Sequence, residues 1–432
     1  MLFENAGFGK ILTICELNVT EHASFTTLYI LITQLSKASL YGVLNIFTVD
    51  FVHENLQPSS ENQMSSNSST IFHIRLPDLS TMEHELSVSN RTKIFFVQTS
   101  ENEDLIVRHG CSIEAAALLH PNGLILVLMK AQYVSRIKGA YSKLNLQYKN
   151  VHFVHFNESQ IYANTPLAKL NQTSRIHFIR YFVISHMSDF IRTALLYKYG
   201  GIYFDLDVIP LRKFDKFKNS VGLESQAGVN VAVLAFESGH LALDIQMDKQ
   251  LASFSDNFQS LCWSCVGPTA LSDALRHLCD GSELHIHQKE KCHDIDIHYT
   301  YAFYPIAYQN IPIFFHSSTS SLSIEYLIKN QSIYSIHYFH HMTMNLDIEL
   351  NSPFAQIAQS FCPSIYEQLI LKHNDQKHKS SFIMTNIYII LLCLLLSILC
   401  IMFSVFMTFF LPTQGRMIFN YNIIILAIQK YV

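Results

Sequence analysis

Residues 188–207 read SDFIRTALLYKYGGIYFDLD, and the hydrophobic period changes once within them. Phe190, Ile191, Ala194 and Leu195 recur at helical spacing, so the first part predicts a helix with one apolar stripe. Ser188 is suited to cap it, with Asp189 near its positive end. Asp189 and Arg192 are three residues apart and share a face. Gly200-Gly201 ends the helix. Ile202-Tyr-Phe204 then predicts a strand that delivers Asp205 and Asp207 at its C-terminal end. Residues two apart at a strand end project to the same side, so the two carboxylates converge while Leu206 turns away. Hard carboxylate oxygens suit Mn²⁺ or Mg²⁺. An Asp-x-Asp pair behind a strand also occurs in phosphatases, but there it usually opens the domain. Here it lies mid-chain behind a helix and a Gly-Gly pair.

Upstream, Lys93-Ile-Phe-Phe-Val97 and Leu124-Ile-Leu-Val-Leu-Met129 are short apolar runs separated by the helix-forming stretch Ser112 to His120. Strand, helix, strand is the opening of a parallel sheet, and Val151 to Phe156 supplies a third strand. The expected fold class is therefore α/β with a mainly parallel sheet over residues 91–370. Residues 53–90 contain SSENQMSSNSST and read as a flexible stem. Phe382 to Pro412 carries no charged residue and exceeds the ~20 apolar residues that cross a bilayer, which predicts a transmembrane helix followed by a tail at 413–432. Residues 24–52 form a second, interrupted apolar stretch, a possible membrane anchor behind an N-terminal tail at 1–23.

Composition agrees with a buried core plus membrane segments: 49 % apolar and only 15 % charged residues in 432. A net charge of −4 gives no concentrated basic surface, which excludes nucleic acid as the expected partner. Asn-x-Ser/Thr acceptor triplets at Asn18, Asn67, Asn90, Asn157, Asn171 and Asn330 point to a glycosylating compartment. Six of the nine cysteines (111, 262, 265, 279, 292 and 362) lie between the N-terminal tail and the hydrophobic C-terminal segment. An even number permits a disulfide framework, and chain proximity favours Cys279–Cys292. Cys262-Trp-Ser-Cys265 reads as a disulfide or, less simply, as a redox or metal pair.

The whole run SDFIRTALLYKYGGIYFDLDVIPL resembles the donor-site signature of the alpha-1,4-glycosyltransferases. Ordered blocks extend the resemblance from about Lys93 to Glu367. They include IFFVQTS at 94–100, CSIEAAALLHP at 111–121, NTPLA at 164–168, AFES at 235–238, Gly267-Pro268 and Cys362-Pro363. The resemblance implies a GT-A-like nucleotide-sugar domain and retaining transfer of galactose or N-acetylglucosamine from a UDP-sugar. The implied acceptor is the 4-position of a sugar on a glycolipid or glycan, and the implied place is the Golgi membrane with the catalytic domain lumenal. Residue by residue, it implies that Gln98, Thr99 and Ser100 meet the nucleotide and that Asp189, Arg192 and Asn230 serve the donor sugar or its phosphates. It also implies that Asp205, Asp207 and His337 hold the metal. Where the family usually has a His and an amide before Gly-Pro, this chain has Cys265 and Val266. Around His337 it has Phe339 and His340 in place of Trp and Asn. These departures lie on the acceptor or reaction side, not on the metal pair, and a membrane-anchored glycan-binding protein without turnover is the rival reading.

Overall fold

The structure, a computed structural model, describes residues 73–135, 139–172, 182–225, 228–255, 262–279, 292–317 and 324–370, together with position 284 and seven positions between 388 and 402. Its strands are β1 (His73–Arg75), β2 (Lys93–Gln98), β3 (Leu124–Met129), β4 (Tyr133–Ser135) and β5 (Val151–His155). They continue with β6 (Gly201–Phe204), β7 (Val208–Pro210), β8 (Ser220–Ser225), β9 (Gly228–Phe236), β10 (Asp296–His298) and β11 (Ser335–His337).

Seven of these form one sheet in the order β10-β8-β9-β6-β2-β3-β5. Every pairing is parallel except the two made by β9, which runs against both β6 and β8. The GT-A-like expectation of a mainly parallel sheet holds. Continuous apolar runs are what such a sheet demands, because both its faces are covered. Along β3, Ile125, Val127 and Met129 enter one apolar cluster while Leu124, Leu126 and Leu128 enter the other. In β2, Ile94 and Phe96 divide from Phe95 and Val97 in the same way. Fully burying each such side chain contributes roughly 1.5–3 kcal/mol.

The helix before the Asp-x-Asp pair runs from Val183 to Tyr199, so Ser188 lies inside it rather than at its start. The Ser188 hydroxyl has other work: it accepts from Arg192 Nη2 at 2.9 Å and shares a 3.1 Å hydrogen bond with the Tyr203 hydroxyl. The helix stops where expected. Gly200 has φ +60°, and Gly201 has φ +118°. A Cβ on Gly201 would stand 2.7 Å from the Lys93 carbonyl oxygen, so β6 can lie this close to β2 only without a side chain there. The upstream helix is also longer than expected, spanning Val107–Leu119.

Residues 73–90 are not stem. β1 pairs antiparallel with β4, and Leu76, Leu79 and Leu86 are buried against the domain. The polar stretch disguises a boundary: three apolar residues spaced along eleven positions show no period, yet each fills the core. The domain therefore starts near His73 instead of Arg91.

Three disulfides link Cys111 to Cys362, Cys262 to Cys265 and Cys279 to Cys292. The expected Cys279–Cys292 bridge is present, and Cys262-Trp-Ser-Cys265 is closed on itself. Among the described residues no helix is long and apolar enough to cross a membrane. The spans expected at 24–52 and 382–412 lie outside the described residues, apart from the seven helical positions between Tyr388 and Met402.

Candidate active site

Asp205 and Asp207 follow β6 in the turn that leads into β7, at the C-terminal edge of the parallel strands. Asp205 is anchored through its backbone, whose N–H donates to the Ala232 carbonyl at 2.8 Å on the neighbouring β9. Leu206 is buried in the apolar cluster between the two carboxylates, as the alternation predicts.

A third group that could ligate a cation arrives from far along the chain. β11 pairs antiparallel with β7, setting His337 opposite Val208. This puts His337 Nε2 3.1 Å from Asp207 Oδ1. Asp205, Asp207 and His337 each offer one ligand atom, and these atoms lie within 4.8 Å of one another. Two hard carboxylate oxygens and an imidazole nitrogen, converging from separate segments, fit a divalent cation. The Asp207 Oδ2 also accepts the His340 backbone N–H at 2.6 Å. Burial pushes the Asp207 carboxyl up, but His337 and the His340 N–H prevail and hold it well below the usual range. The same pairing raises His337 despite its burial. Phe339, at φ +47°, stacks its ring 3.9 Å from that of His337. A non-glycine residue in the left-handed region is strain of the kind concentrated at functional sites.

Behind Asp205 sits Arg192, buried and fully committed. Its Nη2 is 3.1 Å from Asp205 Oδ1 and its Nη1 donates to the Val231 carbonyl at 2.8 Å. Its Nε donates to the Ser188 carbonyl, and its plane lies 4.7 Å from the Tyr203 ring centroid. The Tyr203 hydroxyl donates to Asp205 at 2.7 Å. Asp189 is 3.5 Å from Arg192 and wholly enclosed, and burial raises its carboxyl to about 7. Gly267 rests directly on it: a Cβ there would stand 2.5 Å from both Asp189 carboxylate oxygens. Only glycine permits this approach, which explains the Gly-Pro pair physically.

Asn230 is buried on β9 with a fixed orientation. Its carbonyl oxygen accepts from the Ala232 N–H at 2.7 Å, so its amide group donates to Glu224 at 3.0 Å. Gln98 ends β2 beside β6, and the Thr99 hydroxyl donates to the Ile184 carbonyl at 2.9 Å. Ser100 follows, half-buried, on the same edge.

A cavity of about 590 Å³ opens beside His337, lined among others by Glu224, Trp263, Ser264, Tyr304, Tyr308 and Phe339. The sequence missed Glu224, Trp263, Tyr203 and Ser188 as members of the site. Only the Gly-Pro block hinted at the 262–268 loop. That loop also departs from expectation in its facing. Val266 is fully buried in the core and offers only its carbonyl, to Gln250 Nε2 at 2.7 Å. Cys265 is bonded to Cys262. Val266 is therefore no part of the cavity lining, to which this loop contributes Trp263 and Ser264.

Residues 107–227 match the glycosyltransferase sugar-binding region containing DXD motif, and residues 238–369 match the alpha 1,4-glycosyltransferase conserved region. The chain is 28 % identical over 287 residues to the lactosylceramide 4-alpha-galactosyltransferase of Mus musculus, covering 65 % of this chain and 77 % of that one. It is 26 % identical over 296 residues to the alpha-1,4-N-acetylglucosaminyltransferase of Homo sapiens, covering 66 % and 83 % respectively.

Proposed function

We infer that this chain, which belongs to the alpha-1,4-glycosyltransferase family with a DXD motif, moves galactose or N-acetylglucosamine from a UDP-sugar to the 4-position of an acceptor sugar on a glycolipid or glycan, with retention. The observation that carries this reading is the convergence of Asp205, Asp207 and His337 at the sheet edge beside an open cavity. A divalent ion bound there supplies positive charge for the departing diphosphate. The chain's own residues do the rest. Arg192 and the Tyr203 hydroxyl hold the Asp205 carboxylate in place, so Arg192 acts through Asp205. Asn230 orients Glu224 at the cavity wall, where the donor sugar is to lie. Gln98, Thr99 and Ser100 receive the nucleotide at the end of β2.

The reading extends to place. Asn90 and Asn157 are exposed, and the disulfides need an oxidising compartment, which supports a Golgi membrane protein with a lumenal domain. The test is UDP release by the purified full-length chain from UDP-galactose and UDP-N-acetylglucosamine, with water as acceptor. Release with one of them, abolished by a chelator and restored by Mn²⁺ or Mg²⁺, is the expected result. Silence with both donors, in a protein whose disulfides are formed, overturns the reading.

A further inference from the structure

Trp263 is the one tryptophan of the chain, and it is 51 % exposed at the edge of the cavity beside the metal cluster. An exposed indole is ordinary on a loose loop, but this loop is tied at several points. The Cys262–Cys265 disulfide closes it around Trp263. The Cys262 carbonyl lies 3.1 Å from His186 Nε2 on the 183–199 helix. The Thr269 hydroxyl donates to the Ser264 hydroxyl at 3.1 Å, and the Thr269 N–H donates to the Ser264 carbonyl at 3.0 Å. Gln250 holds the Val266 carbonyl, and Gly267 is pressed against Asp189. The indole thus stays half exposed at the cavity while its loop is tied, through Gly267, Asp189 and Arg192, to the Asp205 end of the site.

The remaining lining describes what that face would meet. Tyr304, Tyr308 and Phe339 are further aromatic residues of the lining, and Thr269, Ser272 and Gln309 supply hydroxyl and amide groups. Of its two charged members, Glu224 is held by Asn230 on the donor side and Arg276 is paired with Asp273 at 2.9 Å. Aromatic side chains and a rim of neutral hydrogen-bonding groups match a neutral sugar ring, which has C–H faces and a hydroxyl edge. The volume lies within the usual range for a small-molecule site. A rigid aromatic group provides contact area at little entropic cost, and a covalently closed loop lowers that cost further.

We propose that Trp263 is the platform on which the acceptor saccharide stacks, and that the Cys262–Cys265 disulfide positions it and so sets acceptor choice. The proposal rests on the transferase reading and goes beyond it by assigning the acceptor side to named groups. Its ligand class is a neutral oligosaccharide.

A single tryptophan makes the test direct, because all indole fluorescence of the full-length chain comes from position 263. The oxidised protein with UDP and Mn²⁺ is titrated with lactose, N-acetyllactosamine, chitobiose and mannobiose. A saturable shift of the emission with at least one of them is expected. In the Cys262→Ser, Cys265→Ser double variant the affinity for that saccharide falls at least tenfold while UDP binding, measured by calorimetry, persists. In transfer assays Trp263→Ala raises the acceptor KM at least tenfold, and Trp263→Phe recovers part of it. No saturable shift with any of the four saccharides overturns the platform. Equal saccharide affinity in the double variant overturns the positioning role of the disulfide. Absence of UDP–Mn²⁺ binding in the wild-type protein is a different failure: it removes the transferase reading, and this inference falls with it.

Discussion

Asp205 and Asp207 are neighbours in the chain yet are held by different partners. Asp205 faces a buried guanidinium and a tyrosine hydroxyl, whereas Asp207 faces His337 and a backbone N–H. The first arrangement fixes orientation and the second assembles a ligand set. Asp207→Asn keeps the shape and the contact with the His340 N–H but removes a charge from the cluster. Turnover should fall by about two to three orders of magnitude, the usual loss when one electrostatic contact to a reacting group is removed. Mn²⁺ affinity measured by calorimetry should fall with it, while circular dichroism stays unchanged. A second residue sets a pH limit. His120 is buried, donates through Nδ1 to the Ala116 carbonyl and accepts the Phe214 N–H at Nε2, so only the neutral ring fits. Burial accordingly holds its pKa below the ordinary 6.5. The unfolded chain takes up a proton near 6.5 and the folded chain resists it. The contribution is therefore complete above that pH and is lost as pH falls through 6.5 toward the depressed value. Urea midpoints should decline from pH 7 to pH 5, and His120→Gln should be less stable at pH 7 with a flatter decline.

At the scale of elements, the helix Val107–Leu119 is the hub between the sheet and the last helices. Glu114 is fully buried within it and accepts the backbone N–H groups of Ser364 and Ile365 at 3.0 and 2.8 Å. One turn away, Cys111 is bonded to Cys362 at the end of the Pro353–Phe361 helix. This clamp matters to the site because the segment it secures follows β11, which carries His337. Replacing Cys111 and Cys362 by serine should lower stability by about 2–5 kcal/mol, as for native disulfides generally. Chemical denaturation measures it. The Glu114 contacts should keep the fold assembled in the absence of denaturant, so UDP binding should survive the replacement at 25 °C.

For the whole molecule, the informative boundary is the N-terminal one. A chain truncated to begin at Arg91 loses β1, exposes the edge of β4 and removes Leu76, Leu79 and Leu86 from the core. Three lost leucines at roughly 1.5–3 kcal/mol each exceed a large share of the stability of a typical domain. Such a truncation should be recovered largely as aggregate, while one beginning at Ser69 should be soluble and show a single cooperative unfolding transition. Equal yield and midpoint for the two would mean that residues 73–90 contribute nothing to the fold. In a secretory host, glycosidase treatment should increase gel mobility through Asn90 and Asn157, and the Asn90→Gln, Asn157→Gln pair should reduce that shift.

The sequence by itself determined whatever depends on neighbours along the chain. Short apolar runs of four residues in β2 and six in β3, separated by a helix-forming stretch, read as strands covered on both faces, so both were legible without the structure. Gly200-Gly201 and the alternation through Leu206 likewise fixed where the helix stops and which way Asp205 and Asp207 turn. Tertiary structure decided what depends on contacts between distant segments. His337 meets Asp207 because two three-residue strands pair, and strands that short carry no readable period; its role was suggested by family resemblance alone. Ser188 looked like a cap because capping chemistry is local, whereas its actual partner, Tyr203, lies on the next strand. Arg192 looked available to a donor until Ser188, Val231 and Asp205 occupied its nitrogens. Val266 seemed to face the sugar and Trp263 drew no notice, because facing on an aperiodic loop is set by a disulfide and by Gly267 lying on Asp189. Local pattern fixes which elements form, and packing fixes which side chains are left to face the cleft.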